Sequence, residues 1–395
     1  MAHEAKIQPS YGSSIALWKE KKPFQPLPPT KRQGDELVAP LETLAPDAAE
    51  RLAASKRVIF HAVGDTGGVN GTEVEERIAD AMQAQIEKED EAARPGFFYL
   101  LGDVIYPVGA PEDYKDQFYE PFKYYDAPIV AIPGNHDGYG RPDVPRSSLD
   151  GWLMNFLGLL PDEHQLPAEH HFPYREPMEL PYVYWELTTE IVNIIGLYSN
   201  TEGFLDDPAA AATPQQDWLA ARLKAAGERP VIVAVHHPPY SLDDDHHGSP
   251  AIAKALDAAA RSAQRWPDAV FSGHVHSYQR FTRRIAGREI PYVVAGAGGR
   301  ANKRRRLSKL MEWEGHPAVT MPFDIRDAAG NKIGVTLVAA DWRDPGFLTV
   351  SVDGEVKELR CTYWRVPFDE SKSVKWRDKF TLDLQAHRVT KQKMK

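Results

Sequence analysis

Residues that can bind metal ions recur in this sequence, each at or just after an apolar run of strand length. The segments that carry them are Gly64-Asp65, Gly102-Asp103-Val104-Ile105-Tyr106, Gly134-Asn135-His136-Asp137, Val233-Ala234-Val235-His236 and Gly273-His274-Val275-His276. A single aspartate after glycine usually belongs to a turn. The repetition of the pattern indicates a site for two metal ions that hydrolyses phosphate esters.

The donor atoms in these segments are of two chemical kinds. Carboxylate and phenolate oxygens favour a hard cation of high charge, whereas imidazoles with an amide oxygen suit a borderline divalent metal. Two cations held in this way need one carboxylate that bridges them. His274 and His276 would point to opposite faces of a regular strand, so their joint ligation requires a loop, which Gly273 permits.

The elements that must position these donors form an alternation of buried strands and amphipathic helices, which predicts parallel strands with helices outside. In such α/β sheets, ligands gather beyond the carboxyl ends of the strands, where these segments lie. Strands are predicted at Val58–Val63, Phe97–Leu101, Ile129–Ile132, Val192–Leu197, Val231–Val235 and Ala269–Phe271. Helices are predicted at Thr72–Ala93, Asp113–Tyr125, Gln215–Ala226 and Ser249–Trp266.

Three regions depart from this alternation. Residues 1–55, rich in Pro, Lys and Glu, predict an extended N-terminal arm before a main domain over residues 56–395. Residues 141–180 break the rhythm and predict an insertion beside the site. Residues 347–364 predict a C-terminal β-hairpin around an Asp353-Gly354 turn.

The order Asp, Gly-Asp-x-x-Tyr, Gly-Asn-His-Asp, Val-x-x-His, Gly-His-x-His resembles the purple acid phosphatases, within the calcineurin-like metallophosphoesterases. The resemblance covers roughly Val58 to Gly299. Tyr106 is its most discriminating residue, because the wider superfamily usually has an Asp-x-His first motif and no tyrosine here, whereas this chain has Asp65-Thr66-Gly67. We therefore predict an α/β fold, a four-layer α-β-β-α sandwich of two mixed sheets with the site at one edge.

The resemblance implies a ligand set for each of two cations, a ferric ion and a divalent zinc, manganese or iron ion, with Asp103 as the bridge between them. The remaining ligands would be Asp65, Tyr106 and His276 for the ferric ion, and Asn135, His236 and His274 for the divalent metal. His237 is an alternative to His236, although the Val-x-x-His frame and the following Pro238 favour His236.

The resemblance also implies catalytic roles for several polar residues. His136 would contact the phosphate or help to protonate the leaving group, and Asp137 would orient His136. The run from Asp243 lies about where relatives place a histidine pair facing the substrate, so His246 or His247 could assist departure of the alkoxide. The choice between these two histidines stays open, and both could equally be solvated loop residues.

The expected reaction is hydrolysis of phosphomonoesters by attack of a metal-bound hydroxide. A first alternative is a phosphodiesterase that acts on nucleotides or lipid headgroups through the same metals. A second alternative is a non-catalytic binding protein with a degenerate fold, which the complete set of ligand positions disfavours. Assays of monoester against diester substrates distinguish the first two.

Composition sets limits on partners and location. The formal net charge of -9 argues against broad binding to nucleic acid or to anionic membranes. The basic run Lys303–Arg306 is typical of a solvated loop, with attraction of polyanionic substrates as the minority interpretation. Met1–Ser10 has no apolar core of signal-peptide length and no apolar run approaches a membrane span, which predicts a cytoplasmic protein whose partner is a phosphate ester.

Two further residue types carry smaller inferences. Cys361 is the single cysteine, so no intramolecular disulfide can form. His61 belongs to no ligand pattern, which favours a core or surface role. The sequence leaves the oligomeric state open.

Overall fold

The computed structural model describes residues 27–68, 71–139, 149–158, 175, 178–201, 214–243, 246–300, 322–326 and 330–395. Within these ranges, sixteen strands build two mixed sheets with helices on their outer sides. One contiguous core of buried apolar side chains includes residues of both sheets, such as Val233 and Val350. This four-layer arrangement confirms the predicted α-β-β-α sandwich.

The strands are short in the first half of the chain and longer in the second. In chain order they are β1 (Val38–Pro40), β2 (Arg57–Val63), β3 (Phe98–Leu100), β4 (Ile129–Ala131), β5 (Trp185–Thr188), β6 (Asn193–Leu197), β7 (Val231–Val235), β8 (Ala269–Ser272), β9 (Tyr278–Ile285), β10 (Arg288–Ala295), β11 (Phe323–Arg326), β12 (Lys332–Asp341), β13 (Gly346–Asp353), β14 (Glu358–Arg365), β15 (Lys375–Asp383) and β16 (Arg388–Met394).

The two sheets combine parallel and antiparallel pairs. One sheet has the order β1-β5-β6-β7-β8-β10-β9-β12-β11, and the other has the order β16-β15-β14-β13-β2-β3-β4. The central strands β6, β7, β8 and β10 are parallel, as are β2, β3 and β4. Strands β13 and β14 pair as an antiparallel hairpin in the segment where the sequence predicts one.

The helices connect these strands. They are α1 (Leu41–Leu44), α2 (Pro46–Ala54), α3 (Glu73–Lys88), α4 (Asn135–Gly138), α5 (Asp150–Phe156), α6 (Pro214–Ala225) and α7 (Pro250–Ala263). Helix α7 shows why its sequence folds in this way. Ser249 caps it by accepting a hydrogen bond from the Ile252 N–H at 3.2 Å, Pro250 begins it, and Ile252 and Leu256 bury its apolar face.

The predicted strands agree with the structure to within one or two residues at each end. Two predictions need correction. The stretch predicted as a helix over Asp113–Tyr125 forms a 3₁₀ turn at Pro111–Asp113 and a π-helical turn at Lys115–Tyr119. The Gln117 side chain in this turn bonds to the backbone of Tyr106, a tertiary contact that the helical periodicity does not encode.

The predicted extended arm over residues 1–55 is wrong for its second half. Residues 34–54 form a 3₁₀ turn, β1, α1 and α2, and β1 pairs in parallel with β5 at the edge of a sheet. The reason is apolar burial, because Leu41 and Leu52 are each 2 % exposed within the core, and Pro46 favours the first turn of α2. Residues 1–26 lie outside the described part of the chain.

A buried ion pair joins the two sheets. Arg280 on β9 donates to both carboxylate oxygens of Asp378 on β15, at 2.6 and 3.1 Å. The Tyr278 hydroxyl donates to the same carboxylate at 2.6 Å, and its ring stacks on Tyr363 of β14 with centroids 4.1 Å apart. These contacts fix the position of one sheet on the other close to the strand ends that carry the site.

The predicted insertion at 141–180 is represented in the described residues mainly by α5, where Trp152 is fully buried. Of the other residues in this range, the structure describes only 149, 157, 158, 175 and 178–180. The rest of the predicted insertion lies outside the described part of the chain. None of the helices in the described ranges combines the length and the apolar character needed to cross a lipid bilayer.

Candidate active site

The donor residues lie at the carboxyl ends of strands from both sheets. Asp65 follows β2, Asp103 follows β3 and Asn135 follows β4 in one sheet. His236 follows β7 and His274 follows β8 in the other. The site therefore lies where the two sheets meet at one edge.

Three of these turns use backbone in the left-handed region. The φ angles are +60° at Asp65, +53° at Asp103 and +66° at His274. Non-glycine residues rarely adopt such angles, and those that do are concentrated at functional sites. The turns also pack closely, since a Cβ on Gly273 would lie 2.7 Å from Asp65 Oδ2. This packing explains the glycine before His274.

An oxygen-rich group of side chains forms one side of the site. The Tyr106 hydroxyl donates to Asp65 Oδ1 at 2.9 Å and lies 2.9 Å from Asp103 Oδ2. His276 Nε2 lies 3.3 Å from the same hydroxyl and 3.4 Å from Asp65 Oδ1. Three oxygen donors and one imidazole thus face a common point.

A nitrogen-rich group forms the other side. Asn135 Oδ1 lies 3.1 Å from His236 Nε2 and 3.0 Å from His274 Nδ1. Asp103, His236 and His274 each offer one donor atom, and these three atoms lie within 4.8 Å of one another. His236 Nε2 is 3.3 Å from Asp103 Oδ2, so Asp103 belongs to this group and to the oxygen-rich group.

Backbone contacts hold the donors in place. His236 Nδ1–H donates to the Leu101 carbonyl at 2.8 Å, which leaves Nε2 directed into the site. His237 is directed elsewhere, because its Nδ1 lies 2.8 Å from Ser199 Oγ and its ring packs on His274. Of the two candidates left open by the sequence, the structure brings His236 to the other donors.

His136 and Asp137 lie beside the donors but not in the predicted relationship. His136 Nδ1–H donates to the Pro107 carbonyl at 2.7 Å, and its ring lies 4.3 Å from that of Tyr106. The Asp137 carboxylate instead accepts from the N–H groups of Gly134, at 2.7 Å, and Val104, at 3.0 Å. The predicted orientation of His136 by Asp137 is therefore wrong. As the third residue of α4, Asp137 reaches back to its N-terminus and connects two ligand loops.

His246 and His247, in the loop that follows β7, lie in different environments. The His246 ring lies 4.8 Å from that of His274 and 5.1 Å from that of His276, so it covers the site. Its backbone N–H donates to Asp243 Oδ1 at 2.7 Å. His247 is exposed and bridges to Leu242 through its backbone. The geometry favours His246 as the residue that faces a substrate.

Burial shifts the pKa values of two of the donors, Tyr106 and His274. Burial raises the pKa of Tyr106 well above its usual value, and the carboxylates of Asp103 and Asp65 raise it further. Its phenol therefore stays protonated unless a strongly charged cation replaces the proton. Burial also lowers the pKa of His274 well below its usual value, which keeps this imidazole neutral and able to ligate.

Sequence reasoning missed two residues of this region, Gln117 and Arg300. Gln117 holds the backbone of Tyr106. Arg300 places its guanidinium carbon 4.7 Å from the centroid of the Tyr106 ring, and its backbone N–H donates to the Asp65 carbonyl at 2.9 Å. The sequence feature that could have pointed to Arg300 is the glycine-rich turn Gly296–Gly299, which follows β10 at the same edge of the sheet.

The fold and the site together define a metal-dependent phosphoesterase. The family model described as calcineurin-like phosphoesterase matches residues 60–278, and the chain belongs to this family. It is 24% identical over 279 residues to tartrate-resistant acid phosphatase type 5 of Homo sapiens, covering 67% of this chain and 79% of that protein. It is also 25% identical to purple acid phosphatase 22 of Arabidopsis thaliana, over 61% of this chain and 50% of the plant protein.

Another curated relative and one solved structure extend this comparison. A glycerophosphodiester phosphodiesterase of Enterobacter lignolyticus is 27% identical over 47% of this chain and 57% of that protein. A purple acid phosphatase from yellow lupin (Lupinus luteus) seeds superposes with a TM-score of 0.55 and 15% identity, over 84% of this chain and 54% of that one. The superposition shows a shared fold.

Proposed function

We propose that this protein is a two-metal phosphatase that hydrolyses phosphomonoesters. The supporting observation is the position of Asp103 between two groups of donors. Its Oδ2 lies 2.9 Å from the Tyr106 hydroxyl and 3.3 Å from His236 Nε2. A carboxylate that faces a separate donor set on each side is what a ligand bridging two cations requires.

The chemistry of the donors suits two different cations. The oxygen-rich group, with a phenol and two carboxylates, fits a ferric ion, and we assign to it Asp65, Asp103, Tyr106 and His276. The group with two imidazoles and an amide oxygen fits zinc, manganese or ferrous iron, and we assign to it Asp103, Asn135, His236 and His274. When bound, such a cation pair activates water for attack on phosphorus and neutralises charge on the phosphate oxygens.

Two histidines are placed to act on the substrate. His136 is held through Nδ1 by Pro107, so its Nε2 is available for a phosphate oxygen. His246 covers the site over His274 and His276, and the Asp243 carboxylate holds its backbone N–H. We assign phosphate binding to His136 and delivery of a proton to the leaving oxygen to His246.

A second candidate is hydrolysis of phosphodiesters through the same donors. The name of the Enterobacter relative, glycerophosphodiester phosphodiesterase, supports this alternative. The two activities differ in the substrate, because a monoester carries two negative charges near neutral pH and a diester carries one. Substrate preference therefore decides between them.

The test combines metal analysis, a visible absorption spectrum and two assays on the purified protein. We expect about two metal ions per chain, as in other two-metal sites, with iron as one of them. A broad absorption band from tyrosinate bound to ferric iron should accompany this content. p-Nitrophenyl phosphate should be hydrolysed faster than bis(p-nitrophenyl) phosphate. The reverse preference would support the diesterase, and an inert, metal-free preparation would contradict both proposals.

A further inference from the structure

Arg300 is a partly buried cation at the edge of the site. Its guanidinium carbon lies 4.7 Å from the centroid of the Tyr106 ring. Nε of Arg300 is buried and has no hydrogen-bond partner among the described residues. In the same part of the chain, its side chain forms no ion pair with any carboxylate. Within the described ranges, the contact that its charge makes is with the face of the Tyr106 ring.

The loop before Arg300 is built to bring it to this place. The Gly298 N–H donates to the Gly64 carbonyl at 3.1 Å, and the Arg300 N–H donates to the Asp65 carbonyl at 2.9 Å. Gly299 has a φ of +144°, and a Cβ there would lie 2.5 Å from the Thr66 carbonyl oxygen. Only glycine fits so close to the Thr66 carbonyl, so Gly299 allows the loop to pack directly against the turn that carries Asp65.

A buried N–H group such as Nε of Arg300 is unfavourable without a hydrogen-bond partner, because burial removes its water and no described residue replaces it. Two other covered arginines of this protein are ion-paired, Arg280 with Asp378 and Arg283 with Asp257. The planar guanidinium also matches two oxygens of a phosphate group at once. An anionic ligand in the site would supply the partner that the described residues lack.

We propose that Arg300 binds the phosphate group of the substrate and thereby favours doubly charged monoesters over singly charged diesters. The proposal rests on the proposed function, since it names the substrate class for the same site. Arg300 is available for this role because its buried Nε–H has no hydrogen-bond partner among the described residues. Its position over the Tyr106 ring places it beside the oxygen-rich group of the site.

The experiment uses the metal-loaded full chain with the substitutions Arg300→Gln and Arg300→Lys. Binding of inorganic phosphate is measured by calorimetry, and kcat/KM is measured for p-nitrophenyl phosphate and bis(p-nitrophenyl) phosphate. Loss of a charge-assisted hydrogen bond should weaken phosphate binding of R300Q by roughly 10- to 100-fold. R300K should lie between wild type and R300Q, because lysine keeps the charge without the planar fork.

The substrate ratio provides the second readout. In R300Q, kcat/KM for the monoester should fall by about tenfold or more, as expected for a charge-assisted contact, while the value for the diester changes little. Arg261→Gln is the matched control, since Arg261 also lies over an aromatic ring, Trp266, but its side chain is 65% exposed on α7. The control should bind phosphate like the wild type.

The outcomes separate the alternatives. Unchanged phosphate affinity and an unchanged substrate ratio in R300Q would overturn the proposal. A shifted visible band with unchanged phosphate affinity would also overturn it, because Arg300 would then act on Tyr106 alone. If the wild type prefers diesters, the proposed monoesterase function fails, and phosphate binding by R300Q still decides whether Arg300 is an anion site.

Discussion

Gln117 holds the backbone of Tyr106 on both sides. Its Oε1 accepts from the Tyr106 N–H at 2.9 Å, and its Nε2 donates to the Tyr106 carbonyl at 2.6 Å. The π-helical turn at Lys115–Tyr119 places Gln117 here, only 9% exposed. A residue outside the group of candidate donors thus fixes the position of Tyr106, the phenol of that group within the described residues.

This relationship predicts the effect of Gln117→Leu. Loss of both hydrogen bonds should loosen Tyr106 and lower iron affinity by about 10- to 100-fold, the usual effect of removing a group that supports a ligand. Competition with a chelator measures this affinity. Gln83→Leu is the control, because Gln83 is similarly buried but bonds to Asp126 outside the site. Equal effects of the two substitutions would mean that Gln117 acts only on stability.

Tyr106→Phe should abolish the visible absorption band of the iron-loaded protein, because the band requires a phenolate on ferric iron. The spectrum is recorded at matched iron content. Tyr99→Phe serves as the comparison, since Tyr99 is also buried and its hydroxyl has no hydrogen-bond partner in the described structure. A band that persists in Y106F would rule out Tyr106 as the ligand that produces the colour.

The separation of the loop histidines leads to a prediction about the leaving group. His246→Ala should lower kcat by about 10²- to 10⁴-fold for an alkyl phosphate, the range for loss of a general acid. The loss should be smaller for p-nitrophenyl phosphate, whose leaving group needs less protonation. His247→Ala, at the exposed neighbour, should leave both rates unchanged. Equal losses for the two substrates in H246A would contradict an acid role.

Breaking the ion pair between the two sheets should cause a large loss of stability. Asp378→Asn leaves the buried Arg280 without a counter-charge, so the free energy of unfolding should fall by about 3–5 kcal/mol. Urea denaturation followed by fluorescence measures the change. Glu355→Gln removes the exposed pair with Lys56 and should cost less than about 1 kcal/mol. A small effect of D378N would mean that Arg280 finds another partner.

His61 predicts part of the pH dependence of stability. Burial lowers its pKa from 6.5 to about 4, while Tyr125 and Gln85 contact its ring nitrogens. Above the pH of the unfolded pKa, the imidazole is neutral in both states and the full stability is present. As the pH falls towards 4, His61 binds a proton in the unfolded chain but stays largely neutral in the folded chain.

The free energy of unfolding should therefore fall by about 3 kcal/mol between pH 7 and pH 4 through His61 alone. The measurement compares wild type with His61→Gln over this range, since glutamine cannot titrate. The variant should show a shallower decline by that amount. Parallel curves for the two proteins would show that His61 takes up a proton equally well in the folded and unfolded chains.

Much of the fold could be predicted from the sequence because its signals are local. Apolar runs predict the strands Arg57–Val63 and Val231–Val235, and the motif order places donors after them. The structure brings the predicted donors together, and their role as ligands stays a prediction. The strand and helices of residues 34–54 were not predicted, because their few buried leucines lie in a proline-rich stretch.

The contacts that support the site could not be predicted, because they join residues without a shared pattern. Gln117 meets Tyr106 through a π-helical turn, a form that helical periodicity does not distinguish from an α-helix. Asp137 follows His136 directly, yet neighbouring side chains on a helix diverge by about 100°. The two side chains therefore find different partners, Pro107 for His136 and Gly134 for Asp137.

The distribution of the candidate donors between two sheets has a consequence for folding of the chain during its synthesis on the ribosome. Asn135 and His274 are separated by 139 positions, although their side chains touch. A nascent chain that has made only β2, β3 and β4 carries Asp65, Asp103 and Asn135 without the histidines of the second sheet. Under the proposed two-metal function, the complete set of ligands exists only after β8 has emerged and folded, so that metal binding is a late step of maturation.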